Sequence, residues 1–460
     1  MFCQFERIYI MSALVSDRGF YKTLAVLTVP IALQNLIGLG MNLTDTIMLG
    51  SLGEKQISAS SLANQPFFIF TLFIFGLCSG ACVLTAQYWG KSDTETISKI
   101  MALAIKASVL CSIVFSLLVL IFPEFIISLY TPDKDVIKLG AQFLRIIGFS
   151  YMISAVSTTY LYILRSVENV RLPLLINFTS FVVNTILNWI LIYGKFGAPA
   201  MGIRGSATAT LCARILELAM ALTYAFAFDK TLKIRFRYIL KTDMQLFRDF
   251  LRYSAPVVAN ETMWSIGISL QSVVIGHMGS QEVAANSIAG VVQRLGMVAI
   301  FGMANSAAVI VGKQIGAGNQ KKAKEYAHTI LILSVVMGVL AALFILCVKN
   351  VMIDFYSVDV VTKTYARQII EVYAAIIMFQ AFNTVNIVGI LRGGGDTRFA
   401  MFIDITTLWV FALPIGALAG LYFKLPFPLV FLLLTSDEAV KFLVGIWRFR
   451  TGKWLRNVTR

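Results

Sequence analysis

The chain has 460 residues, 58% of them hydrophobic and only 14% charged. Soluble domains carry nearer ~25% charge, so an ordinary soluble globule is excluded. The formal net charge of +15 would suit a nucleic-acid partner, but the Lys and Arg follow loops between apolar runs, so no nucleic acid is expected and the lipid bilayer is.

Taken in chain order, the apolar runs are about 20 residues or longer, enough to cross ~30 Å of hydrocarbon as a helix. They lack the alternation of strands. A short segment, 1–22, comes first; it has no clear signal-peptide core, and Met11 is a second candidate start. Six spans follow at 23–49, 57–86, 97–128, 137–163, 172–194 and 203–228, making a first lobe over 1–228. A basic linker over 229–249 holds Lys230, Lys233, Arg235, Arg237, Lys241 and Arg248. The second lobe, 250–448, has spans at 250–275, 283–312, 324–348, 364–390, 399–422 and 426–447, and a basic tail, 449–460, ends the chain. Lys and Arg concentrate in the tails and even-numbered loops, which places both termini in the cytoplasm of a multi-pass inner (plasma) membrane protein.

The two lobes are copies. Pro30, Gly50, Gly53, Ala59, Gly76 and Gly90 meet Pro256, Gly276, Gly279, Ala285, Gly302 and Gly316 without a gap, and Ile163, Leu164 and Arg165 reappear as Ile390, Leu391 and Arg392. Six spans per copy is an even number, so the repeats enter the membrane in the same direction, with a binding cavity expected between them. The expected fold class is an all-α membrane protein: twelve transmembrane helices in two parallel-repeat six-helix lobes around a central cleft.

The sequence shows no engine of its own. Gly90, Lys91 and Ser92 imitate the end of a phosphate-binding loop, but Thr85 stands where its first Gly is needed. No nucleophile–base or metal motif is visible, so an enzyme is not expected. Six cysteines, five of them in apolar spans, and only His277 and His328 argue against disulfides and a resident metal. No cofactor is expected beyond a coupling ion, H+ or Na+.

Asp45 is the leading candidate for binding that ion, because a carboxylate inside a span costs several kcal/mol and marks function by default. Amide and hydroxyl oxygens around it could equally hold Na+; the bland alternative is an interfacial acid bonded for structure. Asn42 lies one turn before Asp45. Asn177, Asn184 and Asn188 stripe one face of the fifth span; they complete an ion site or act as interhelical glue. In the second lobe Glu261 is a second candidate acid, and Gln271 stands where Asp45 stands in the first. Gln34, Asn42, Asn177, Gln271, Gln380 and Asn383 are the expected cavity residues, with Asn386 continuing the last stripe. Asp437 with Lys441, and Arg214 with Glu217, read as locally neutralised pairs.

These residues resemble the multidrug and toxic compound extrusion (MATE) transporters, NorM-like branch, over nearly the whole chain. The likeness rests on Pro30 followed by Asp45, Thr46 and Gly50; on Asn184, Asn188, Gly194, Gly197, Pro199 and Gly202; on Gly312, Gly316 and Gly318; on Leu391 to Thr397; and on Asp437 and Glu438 followed by Trp447 to Arg450. The resemblance implies an efflux transporter for small organic cations of amphipathic character, exchanged for H+ or Na+; a monomer working by alternating access is expected. It implies that Asp45 is the first-lobe coupling acid, that Asn184 and Asn188 line its cavity, and that Pro30, and by repetition Pro256, serves helix bending. The chain departs from the family where one branch has Asp in place of Asn188. The family's seventh-helix acid aligns near Trp264 and its tenth-helix acid near Ala381. The rival is a flippase for a lipid-linked or other large metabolite on a related fold, which needs a cationic cavity; Arg145 and Arg294, expected to be buried, would be its support.

Overall fold

The computed structural model describes residues 14–229, 231–232, 238, 243–356 and 358–460. The regular secondary structure of its described residues is all helical, without a strand. The first lobe comprises α1 (Arg18–Gly50), α2 (Glu54–Gly90), α3 (Thr94–Ile121), α4 (Pro123–Ser128), α5 (Lys134–Ile147), α6 (Ser150–Ser166), α7 (Arg171–Tyr193) and α8 (Ile203–Thr223). The second comprises α9 (Met244–Met278), α10 (Ser280–Gly316), α11 (Gln320–Asp354), α12 (Val360–Thr384), α13 (Thr397–Thr406), α14 (Leu413–Ala417), α15 (Phe427–Leu434) and α16 (Asp437–Thr451). π-helical turns extend α8, prolong α12 through Val385–Leu391, and flank α14.

Among the described residues nine helices are long and apolar enough to span a membrane. The pair α5 and α6, bent by 51°, makes a tenth. The remaining two spans are α9 and the broken pair α15 and α16, which occupy the expected places but carry charge: Glu261 in one, and Asp437, Glu438 and Lys441 in the other. The expected boundaries need correcting at three breaks. Pro123 cannot donate to a helical ladder, so α3 stops before it and α4 starts at it. The fourth span is broken at Gly148 and Phe149, and the twelfth at Thr435 and Ser436. The end of the expected linker also belongs to a helix: Asp243 caps α9 by accepting from the Gln245 N–H at 3.0 Å. Lys230, Lys233, Arg235, Arg237 and Lys241 lie outside the described residues, as do 1–13 with Met11.

The packing is that of a membrane bundle. On α3, Leu110, Val114, Leu117 and Ile121 are exposed, while Ser108, Ser112 and Ser116 are buried. Small hydroxyl residues let neighbouring helices close up where lipid gives no hydrophobic drive for association. Thr159 donates to Ser108 at 2.9 Å, and Ser116 to the Gly148 carbonyl at 2.8 Å.

The repeated glycines explain how the lobes meet. α2 packs on α9 and α10, and α1 on α10. A Cβ at Gly90 would lie 2.0 Å from the Lys313 carbonyl oxygen, and one at Gly316 would lie 1.8 Å from that of Gln87. Lys313 is the repeat partner of Gln87, so one crossing is made twice by pseudo-symmetry. Gly76 against Val258 and Gly302 against Ala32 form a second such pair, again on repeat-matched positions. Gly53 and Gly279 turn α1 into α2 and α9 into α10 at φ of 120° and 158°, which residues with a Cβ avoid.

At the Gly90–Gly316 end the seam is reinforced by polar contacts. Lys313 Nζ lies 2.6 Å from Glu168, which also accepts from the Trp89 indole at 3.0 Å. The basic tail is docked along this end. Gln87 donates to the carbonyls of Arg456 (3.0 Å) and Gly393 (3.2 Å) and accepts from the Val458 N–H at 2.8 Å. Trp454 is fully buried, and Arg460 pairs with Asp249 at 2.8 Å.

Candidate functional site

In the first lobe α1 brings Asp45 against α7. Asn184 and Asn188, one turn apart, are both fully buried and face it. The Asn188 amide donates to Asp45 Oδ1 and also to Asn184 Oδ1 at 3.2 Å, and Asn184 donates in turn to Thr210 Oγ1 of α8 at 3.3 Å. Asn188 Oδ1 has no partner among the described residues. One carboxylate thus sits on a line of neutral amide and hydroxyl groups spanning three helices, a donor set that suits a proton or a hard monovalent cation. Arg214, one turn beyond Thr210, is held by Glu217 at 2.7 Å, as the local pairing implies, and Glu217 also accepts from Ser157 at 2.8 Å.

The other expected first-lobe residues divide. Asn42 is exposed, and Asn177 is half-buried on the face of α7 that carries Asn184. Gln34 is buried and donates to the Val170 carbonyl at 3.2 Å, with its Oε1 unpartnered. Pro30 lies inside α1 and Pro256 inside α9.

The second lobe holds a charged network. Glu261 is not a lone carboxylate: Arg392 reaches it at 2.9 Å. Lys441 lies 2.8 Å from Asp437, as the i,i+4 spacing implies, and also 3.4 Å from Asp404 and 3.7 Å from Glu438. Asn260 donates to Asp404 at 2.9 Å, and Asn383 donates to Glu438 Oε2 at 2.8 Å. Four acids and two bases are gathered from α9, α13, α16 and the turn after α12. A buried ion costs several kcal/mol unless paired and hydrogen-bonded, which is why these groups collect. Gln271, in the place matching Asp45, donates to the Leu434 carbonyl at 2.6 Å, a bond that ties α9 to α15. Gln380 accepts from the Tyr373 hydroxyl, and Asn386 is fully buried with both amide atoms unpartnered.

Asp404 escaped the sequence reading, although Phe402, Ile403 and Ile405 around it are the signal used for Asp45. The pairing of Glu261 with Arg392 carries no local signal. Two expectations are corrected. Arg145 is more than half exposed and bonds Glu124 at 2.5 Å, and Arg294 is exposed. Neither is a buried cation: the acidic end of α4 draws Arg145 outward. Among the described residues no cluster of three or more His, Cys, Asp or Glu could hold a metal ion.

Two parallel-repeat helical lobes with an amide-lined acid in one and a charged network in the other define a membrane transporter. The MatE family model matches residues 30–190 and again 256–418, so each match begins at a repeated proline. The chain belongs to the MatE family, and it is a multi-pass membrane transporter. It is 22% identical to a probable multidrug resistance protein NorM of Thermotoga maritima, over 94% of this chain and 93% of that protein. It is 25% identical to the multidrug resistance protein MdtK of Yersinia pseudotuberculosis, over 87% and 88%. Among solved structures it resembles an outward-facing MATE family transporter of the MOP superfamily, with a TM-score of 0.86, 19% identity and coverage of 94% and 97%. A MOP superfamily transporter from Pyrococcus furiosus, described as having a binding pocket of reversed polarity, matches at 0.86 and 19%, over 94% and 95%.

Proposed function

We propose that this chain is a secondary active transporter that exports cationic, amphipathic organic compounds from the cytoplasm in exchange for H+ or Na+, working as a monomer in the inner (plasma) membrane with both termini inside. The observation that carries the reading is Asp45, bonded to Asn188 and, through it, to Asn184. A carboxylate with only neutral partners in its bonded chain holds either a small ion or an organic cation, and occupancy by one weakens the claim of the other. Exchange then follows if each ligand favours a different arrangement of the lobes. The glycine crossings and the Lys313–Glu168 pair hold one end of the seam closed, and alternating access requires those contacts to part. Curated relatives described as multidrug resistance proteins support the substrate class.

The test is efflux of a cationic dye from vesicles, with pH and Na+ gradients imposed separately. One gradient alone should drive efflux in the natural protein, and Asp45→Asn should reduce it to the level of empty vesicles while the protein remains folded in the membrane. Undiminished efflux by Asp45→Asn would remove Asp45 from the mechanism.

A further inference from the structure

The repeated Ile-Leu-Arg triplets place two arginines, Arg165 at the end of α6 and Arg392 after α12, on one small cavity at the seam between the lobes. The cavity measures about 30 Å³, room for a water or a small ion. Its walls include Ser79, Tyr162, Ser166 and Asn305, and no acidic residue. Arg392 is 2% exposed. Its Nη2 is committed to Glu261, but its Nη1 has no hydrogen-bond partner among the described residues. Across the cavity the Arg165 Nε is likewise buried and unpartnered, while its guanidinium lies over the Tyr162 ring at 4.5 Å. Arg165 has no carboxylate within 4 Å among the described residues, whereas Arg214, Arg392 and Lys441 in the spans each have one.

Arg392 already has a counter-charge in Glu261, but Arg165 is half-buried with none among the described residues. A guanidinium partly withdrawn from water gains from an anion, because a neutral water would satisfy its N–H groups but not its charge. We propose that this cavity is a binding site for one small monovalent anion of the halide class, held between Arg165 of the first lobe and Arg392 of the second. Each lobe supplies one arginine, so the complete site exists only while the lobes are together here. Anion binding therefore favours this closed arrangement over one in which the seam has parted.

The test uses the purified full-length protein in lipid nanodiscs. Thermal unfolding is followed while chloride or bromide replaces gluconate at constant ionic strength, and crystals grown in bromide are examined for anomalous scattering. Halide should raise the unfolding temperature saturably, and a bromide peak should lie between the two guanidinium groups. Arg165→Gln should raise the half-saturating halide concentration at least about tenfold, as expected for loss of a charge-assisted bond, with Arg165→Lys falling between. If Arg165→Gln does not fold, the lysine variant and the bromide peak still decide. Equal unfolding temperatures in chloride and gluconate, or density at the site without an anomalous signal, would overturn the proposal.

Discussion

The two lobes are copies in backbone but differ in how their acids are partnered. In the first, Asp45 stands among amides, and the nearby base, Arg214, is committed to Glu217. In the second, the matching position is Gln271, spent on a main-chain bond, while four acids share Arg392 and Lys441. Duplication kept the residues that shape the backbone, such as the prolines of α1 and α9 and the crossing glycines, because both lobes need the same crossing. It did not keep the polar residues: Asp45 of the first lobe is matched by Gln271 in the second. The lesson is that a buried acid's function depends on whether a resident cation already neutralises it. Asp45 has no resident cation bonded to it, and Glu261 does.

The comparison can be broken most sharply at Asp45 itself. Moving the acid to the other lobe, with Asp45→Asn and Gln271→Asp together, should leave dye efflux at background, because Gln271 lies against α15 and not beside an amide pair. Recovered efflux would make the lobes interchangeable. Next in size is Lys441→Met, which leaves Asp404, Asp437 and Glu438 without their shared cation. Breaking a buried charge network of this kind costs roughly 3–5 kcal/mol, and a lowered unfolding temperature in detergent would measure it. Asn188→Leu should keep the fold, at a cost of about 1–3 kcal/mol for the donor lost to Asp45. It should also weaken ion dependence in the vesicle assay, which a purely structural amide would leave unchanged. Gly316→Ala puts a methyl on the Gln87 carbonyl and should loosen the closed seam, read as faster labelling of a cysteine introduced at Ala86. The smallest effect belongs to Arg145→Ala, whose exposed pair with Glu124 is worth at most about 1 kcal/mol. Efflux should be unchanged, whereas its loss would revive a cationic site in the first lobe.

Length, apolar runs and the 226-residue repeat were sufficient for the all-helical class, the two lobes and their parallel relation. Interactions within a helix were legible too. Asp437 with Lys441, Arg214 with Glu217, and the single face shared by Asn184 and Asn188 follow from helical periodicity alone. The breaks at Gly148 and Thr435 were not legible, because an apolar run reads the same whether straight or bent. Nor were the partners that decide what each acid does. Arg392 meets Glu261, and Lys441 and Asn260 meet Asp404, only because separate helices lean together. Periodicity says which face a side chain takes, but not which neighbour that face will find. Low dielectric then makes the neighbour decisive: Asp45 among amides has no bonded counter-charge, whereas Glu261 beside Arg392 has one.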